Sequence, residues 1–267
     1  AIAAGVAHCL ALYGSGCRLL VLPCDHLIPD ERAFGQAVAQ ASEAAEAGYL
    51  TTFGLTPHAP VTDYGYIRAG DPLANVPPHP HQTRHVAAFV EKPDRETAQR
   101  YLDSGGYYWN SGMFLFEAGV FAREAERVMP DLWAYAQAAV EKGQQSAQGL
   151  VLDQAAFAQA PAISIDYALF EKSDHVAVVP SDFLWSDVGG WAAMHEALPH
   201  TDQKLAVSGP VVVQDSADSL VLSDGRPVLA LGLTGMVVVA TEAGVFVAPK
   251  HRASEIKALL AQMPAPR

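Results

Sequence analysis

Two acidic residues, Asp25 and Asp187, each stand after a run of β-forming residues and ahead of a helical stretch, the place where open α/β sheets gather their ligands. Asp25 lies in Leu22-Pro23-Cys24-Asp25-His26, and Asp187 in Trp185-Ser186-Asp187-Val188-Gly189. Two carboxylates completed by phosphate oxygens and water are a usual way to hold Mg²⁺, which prefers oxygen ligands and dehydrates reluctantly. Either acid would also suit a turn or a helix N-cap, where Asp is favoured. The pairing of the two is what favours a metal. His26 reads as a hydrogen-bonded scaffold residue rather than a ligand.

Phe89-Val90-Glu91-Lys92-Pro93 ends a strand, because Pro93 cannot continue the ladder. There Glu91 could accept from sugar hydroxyls and Lys92 could meet a phosphate, although a surface ion pair is the commoner use of such residues. Trp109-Asn110-Ser111-Gly112-Met113-Phe114 sets an Asn inside an aromatic strand. A buried amide there needs partners, from neighbouring backbone or from a polar ligand. In Tyr64-Gly65-Tyr66-Ile67 the glycine lets a ligand approach the backbone closely, or marks a bulge. Two other features are set aside. His79, His81 and His85 lack the spacing and Cys partners of zinc sites and are expected in a solvated loop. Gly14-Ser15-Gly16-Cys17 imitates a phosphate loop, but it precedes a strand instead of following one.

The elements that must position these residues alternate. Arg18 to Leu22, closed by Pro23, is expected as a strand buried on both faces of a parallel sheet. Asp30 caps a helix in which Phe34, Ala37, Val38 and Ala41 recur at helical spacing and which Gly48 ends. A second buried strand follows at Leu50 to Gly54, giving the order of a crossover in an α/β layer fold. After Pro199 the texture changes to short β runs with Gly or Asp between them, from Val211 to Val247. The division expected is therefore an α/β domain over residues 1–199 and a β unit over 200–267. Its terminal helix carries Ile256, Leu259, Leu260 and Met263 on one face, the spacing of a helix packed onto a neighbour.

Half of the 267 residues are hydrophobic and 17% are charged, enough for a full core, and no apolar run approaches bilayer length. Lys plus Arg number 17 against 29 Asp plus Glu, and the net charge of -12 repels nucleic acid. Three cysteines without Cys-x-x-Cys spacing read as reduced thiols, which suggests the cytoplasm.

Taken in order, Leu22 to His26, Tyr64 to Ile67, Phe89 to Pro93, Trp109 to Phe114, Ser164-Ile165-Asp166-Tyr167-Ala168 and Trp185 to Gly189 resemble the mannose-1-phosphate guanylyltransferases. These nucleotidyltransferases form GDP-mannose and pyrophosphate from GTP and mannose 1-phosphate. The last three segments are the more specific, since Glu-Lys-Pro is shared by sugar nucleotidyltransferases generally. The resemblance implies a Rossmann-like α/β nucleotidyltransferase sheet with flanking helices, then a small β-helical segment. It implies Mg²⁺ between Asp25 and Asp187, with those acids and Lys92 catalytic. It puts Glu91, Asn110 and the Gly65 backbone, beside Tyr64, on the mannose, and Lys92 on the phosphate. Asp166 and Lys172 join them as substrate-binding residues. GTP and mannose 1-phosphate would be the partners, with neither nucleic acid nor membrane. Dimers are the commonest symmetric assembly, and the apolar face of the terminal helix leaves a homodimer open.

Three departures stand out. Cys24 takes the place of a small Ala, and Asp63 precedes Tyr64 where a Gly is expected. The family's Gly-rich G-x-G-T-R-x-x-P loop and its downstream Lys are not in these residues, so a strand, loop and helix unit of about thirty residues is expected ahead of Ala1. The alternative reading is a non-catalytic sugar-nucleotide binding or regulatory protein of the same fold.

Overall fold

The computed structural model describes residues 1–147 and 149–262. The chain forms two compact units, one of residues Ala1–Cys24 and Asp30–Leu184, the other of Asp25–Pro29 and Trp185–Arg267.

The first unit is the expected α/β layer. Its helices α1 (Ile2–Tyr13), α2 (Glu31–Glu46), α3 (Arg95–Ser104), α4 (Ala118–Val128) and α5 (Pro130–Glu141) flank a six-stranded sheet. The strands are β1 (Arg18–Val21), β2 (Leu50–Leu55), β3 (Tyr66–Pro72), β4 (Arg84–Val90), β5 (Tyr107–Glu117) and, after a hairpin β6 (Gln144–Ser146) and β7 (Gly149–Val151), β8 (Val176–Ser181). Two short helices, α6 (Gln154–Phe157) and α7 (Ile165–Ala168), precede β8. The order is β1-β5-β2-β8-β4-β3, and β3 also pairs with β5. Among the described neighbours in this sheet, β2 and β8 are the pair joined in parallel, and both are buried at every position.

The expectation for the first strand is corrected. β1 is an edge strand, antiparallel to β5, and its residues alternate between exposed and half-buried. The long strand β5 inserts between β1 and β2, an event that the local apolar run cannot reveal. Arg18 instead reaches α2, where its Nη1 donates to Ser42 Oγ at 2.6 Å and Nη2 lies 3.1 Å from Glu46.

Asp30 caps α2 as expected, accepting from the Ala33 amide at 2.9 Å. Ala37, Ala41, Ala44 and Ala45 form the buried stripe of that helix. Helices α1, α4 and α5 share a core with β5 around Val6, Phe116, Phe121 and Trp133. The Gly14 to Cys17 turn does the reverse of cradling an anion. Its Ser15 and Cys17 carbonyls accept the Gly119 and Ala118 amides at 2.8 and 2.7 Å, closing the start of α4. The histidine stretch is more anchored than a solvated loop. His79 Nε2 lies 2.6 Å from Glu43, buried Gln40 donates to the His81 carbonyl at 2.6 Å, and His85 meets Tyr49 edge-on at 5.6 Å.

Glu124, on α4, is almost fully buried and accepts from Arg127 at 2.7 Å and Ser173 at 2.6 Å. Burial alone would raise its pKa, but the two donors outweigh it and hold the carboxyl below the usual range. A lowered folded-state value means stabilisation that is complete above the ordinary Glu pKa and lost as pH falls through the folded one. The stability gap between wild type and Glu124→Gln, read from urea midpoints, should therefore shrink between about pH 6 and pH 3. A constant gap would contradict this.

The second unit contains α8 (Trp191–Ala197) and strands β9 (Ala206–Ser208), β10 (Val211–Gln214), β11 (Leu220–Ser223), β12 (Val228–Leu231), β13 (Met236–Thr241) and β14 (Gly244–Pro249), then α9 (Ile256–Leu260). β9, β11 and β13 stack in parallel and β10 pairs in parallel with β12, the layering of a β-helix, while β14 turns back antiparallel onto β13. Ala206, Leu220 and Val237 form one buried column through the coils. The terminal helix is shorter and less packed than expected. Leu259 and Leu260 are 54% and 55% exposed, Ala253 on the preceding 3-10 turn is the buried anchor, and Met263 lies outside the described residues. Among the described residues no helix is long and apolar enough to cross a membrane.

Candidate active site

In the first unit a bulge in β5 builds one cluster. β5 pairs with β2 at Phe114↔Thr52 and again at Asn110↔Gly54, so Ser111, Gly112 and Met113 face the single residue Phe53. Gly112 takes a left-handed φ of 67°, which side chains rarely adopt. Ser111 Oγ donates to the Phe53 carbonyl at 2.7 Å, and Thr52 Oγ1 to the Met113 carbonyl at 3.0 Å. A bulge of this kind re-aims a side chain, here that of Asn110. The amide is held on both sides: Oδ1 accepts from the Gly112 N–H at 3.2 Å, and Nδ2 donates to Asp166 Oδ1 at 2.9 Å. Its backbone N–H donates to the Gly65 carbonyl at 2.8 Å.

Gly65 leaves the room that the Glu91 carboxylate occupies. A Cβ there would fall 2.6 Å from Glu91 Oε2 and 3.4 Å from the Asn110 Cβ, so the Glu91 carboxylate closes directly over the Gly65 backbone. Lys92 Nζ lies 3.3 Å from Glu91 Oε1 with both groups open to solvent. Lys92 carries a φ of 46° in the position before Pro93, where backbone choice is already narrow. Tyr64 stands edge-on to buried Trp109 at 5.3 Å. The cluster thus offers the carboxylates of Glu91 and Asp166 and the Asn110 amide for hydroxyl groups, and the Lys92 ammonium for an anion.

In the second unit the segments around the two acids are joined. Leu27 and Ser186 exchange both backbone hydrogen bonds, at 2.8 and 3.0 Å, in an isolated antiparallel bridge. The bridge sets Asp187 opposite His26 and Asp25 one step further along. Burial lowers the pKa of His26, while the negative charges of Asp25 and Asp187 oppose that shift, so both carboxylates act on one imidazole. Trp185 Nε1 donates to His26 Nδ1 at 3.2 Å, which leaves the proton of the neutral ring on Nε2. Asp187 Oδ1 accepts from the Gly189 N–H at 3.0 Å, and a Cβ on Gly189 would meet Oδ2 at 2.8 Å. Between them Val188 holds a φ of 47°, costly for a β-branched residue and typical of a constrained site. Among the described residues no group of three or more His, Cys, Asp or Glu gathers around a metal position. A carboxylate pair fits Mg²⁺, which keeps several waters and takes its remaining oxygens from substrate phosphates.

The family described as Nucleotidyl transferase matches residues 1–204. The chain belongs to the nucleotidyl transferase family. A MannoseP isomerase/GMP-like beta-helix domain matches residues 209–263, in agreement with the stacked parallel strands. Similar proteins include the mannose-1-phosphate guanylyltransferase of Klebsiella pneumoniae, 40% identical over 92% of this chain and 51% of that protein. The xanthan biosynthesis protein XanB of Xanthomonas campestris pv. campestris strain B100 is 43% identical over 92% and 50%. The chain spans about half the length of the curated relatives it matches. A solved structure named mannose-1-phosphate geranyltransferase, from Thermus thermophilus, superposes with a TM-score of 0.82 at 34% identity, over 98% of this chain and 73% of that one.

In this nucleotidyl transferase the structure brings Gly65, Glu91, Lys92, Asn110 and Asp166 together, with Tyr64 beside them, and separately joins Asp25 to Asp187. Lys172 ends the 3-10 turn Phe170–Lys172, where its charge acts on Glu171. Glu171 and Trp185 were not singled out from the sequence. The signal for Glu171 is the pair of acids flanking the apolar Ala168-Leu169-Phe170, and for Trp185 its place two residues before Asp187.

Proposed function

We propose that this nucleotidyl transferase forms GDP-mannose and pyrophosphate from GTP and mannose 1-phosphate in the cytoplasm, where its three free cysteines would stay reduced. The observation that carries the reading is the Leu27 to Ser186 bridge, which joins two acids far apart in sequence where each follows a strand. Asp25 and Asp187 would hold Mg²⁺, which when bound neutralises phosphate charge and orients the triphosphate. Glu91 and Asn110, with the Gly65 backbone, orient the sugar ring. Lys92 and Lys172 draw its phosphate as point charges. The phosphate oxygen of the sugar then attacks the α-phosphorus of GTP in line, the α–β bridging bond breaks, and pyrophosphate leaves. Positioning and charge neutralisation are the main demands of such a transfer.

The test is pyrophosphate release by the full-length protein with GTP, mannose 1-phosphate and Mg²⁺. Release is expected to stop when EDTA removes the metal and to fall when UTP replaces GTP or glucose 1-phosphate replaces mannose 1-phosphate. Binding of GDP-mannose without turnover would overturn the enzymatic reading in favour of a binding protein. Equal turnover of UTP or glucose 1-phosphate would overturn the substrate assignment.

A further inference from the structure

His195, on α8, is fully buried and belongs to neither cluster of the candidate site. Both of its ring nitrogens are engaged within the second unit. Nε2 lies 2.9 Å from the Lys204 carbonyl oxygen and Nδ1 3.5 Å from Lys250 Nζ. A carbonyl can only accept and an ammonium only donate, so the neutral ring donates from Nε2 and accepts on Nδ1. Lys250 donates at the same time to Asp218 Oδ1 at 2.5 Å. The Glu196 carboxylate lies 3.4 Å from Nδ1, and the His200 ring meets His195 edge-on at 4.7 Å. Lys204 and Asp218 both hold left-handed backbone, with φ of 55° and 46°. Such conformations persist in residues other than glycine where the surroundings over-determine them. Here both residues end on the same imidazole and ammonium pair.

This network anchors one end of the Asp187 turn. α8 has seven residues, too few to be stable without tertiary contacts. Trp191, Met194 and Leu198 pack it onto the buried column of Ala206, Leu220 and Val237. Apolar packing is non-directional, whereas the hydrogen bonds of His195 have a preferred geometry and fix where the helix sits along that column. Between Asp187 and α8 run Val188, Gly189 and Gly190, and a Cβ on Gly190 would meet nothing within 4 Å. The link therefore takes its position from its two ends. One end is Ser186, paired with Leu27 and accepting the Val188 N–H on Oγ at 3.1 Å. The other is α8, whose first bond runs from the Met194 N–H to the Gly190 carbonyl at 2.9 Å. The Gly189 N–H that holds Asp187 Oδ1 lies between them.

We propose that His195 is a positioning residue for the Asp187 carboxylate. By tying α8 to Lys204 and Lys250 it sets the Gly189 amide, and through that amide the acid that would face Mg²⁺. The inference rests on the metal reading of Asp25 and Asp187 given above. Hydrogen bonds that orient a ligating carboxylate typically govern metal affinity by 10- to 100-fold.

Titration of the full-length protein with Mn²⁺, followed by electron paramagnetic resonance, tests this alongside steady-state rates. His195→Ala is expected to bind Mn²⁺ about tenfold more weakly and to lower kcat in parallel, with KM for mannose 1-phosphate nearly unchanged. His195→Gln, whose amide N–H can still reach the Lys204 carbonyl, should recover most of the affinity. In an Asp187→Asn background, His195→Ala should add less than about a twofold loss, because the group that it positions is gone. Unchanged Mn²⁺ affinity in His195→Ala would overturn the role of His195 and leave the metal reading standing. So would an equal loss in both backgrounds without recovery in His195→Gln, the pattern of a residue that only stabilises the fold. If His195→Ala does not fold, Lys250→Met decides in its place, with an expected loss of about threefold in Mn²⁺ affinity; no loss there would overturn the role. A wild type that binds no Mn²⁺ would overturn the metal reading and this inference with it.

Discussion

Asp187→Asn is expected to reduce pyrophosphate release on the order of 10²- to 10³-fold while the protein stays folded. The asparagine carbonyl oxygen can still accept from the Gly189 N–H, now 3.0 Å from Oδ1, so the tight turn around Val188 survives. What disappears is one of the two negative charges that act on His26 and that would face the cation. Asp25→Asn should cost about as much. The double variant should cost little more than either single one, because groups that act as a unit are strongly non-additive. Steady-state rates together with direct Mn²⁺ titration separate the effects, since metal affinity should fall in parallel with rate. Full activity in both single variants would sink the metal assignment.

Gly65→Ala should lower kcat/KM for the sugar phosphate by about 100-fold, the cost of misplacing a positioning group by roughly an ångström. The added methyl would lie 2.6 Å from Glu91 Oε2, well inside contact distance, so the carboxylate has to swing away. It sits at the flexible end of a half-exposed side chain, so stability should drop by less than about 1 kcal/mol. The diagnostic pattern is a large change in sugar phosphate kinetics with GTP binding and thermal midpoint nearly unchanged. A comparable loss in melting temperature would show that Gly65 serves the sheet rather than the ligand.

Most of the layer order was legible in the sequence because apolar periodicity and punctuation are local. The Asp30 cap, the buried β2 and the short β runs after Pro199 all carry their signals within a few residues. Pairing is not local. Arg18 to Val21 has the look of a strand in a parallel sheet, yet β5 returns from beyond residue 106 to pair with it antiparallel. The terminal helix fails for a related reason: its spacing shows an apolar face, but Leu259 and Leu260 remain largely exposed. For the candidate site, residue types were readable and their re-aiming was not. Asn110, Ser111 and Gly112 announce polar groups inside an aromatic strand, but only the register break against Thr52 and Gly54 shows that the amide is turned and locked. Glu171 escaped notice because a 3-10 turn has no periodicity from which to read a face.

The parallel pairing of β2 with β8 has a consequence for synthesis. Leu50 cannot meet Val176 until the ribosome has made everything between them, so a strand destined to be wholly buried waits with one edge unmatched. Parallel pairings across so long a stretch are slow to close, and exposed strand edges invite association. A nascent chain halted before residue 181 should accordingly be retained by chaperones, and the Asn110 to Asp166 contact should be among the last to form.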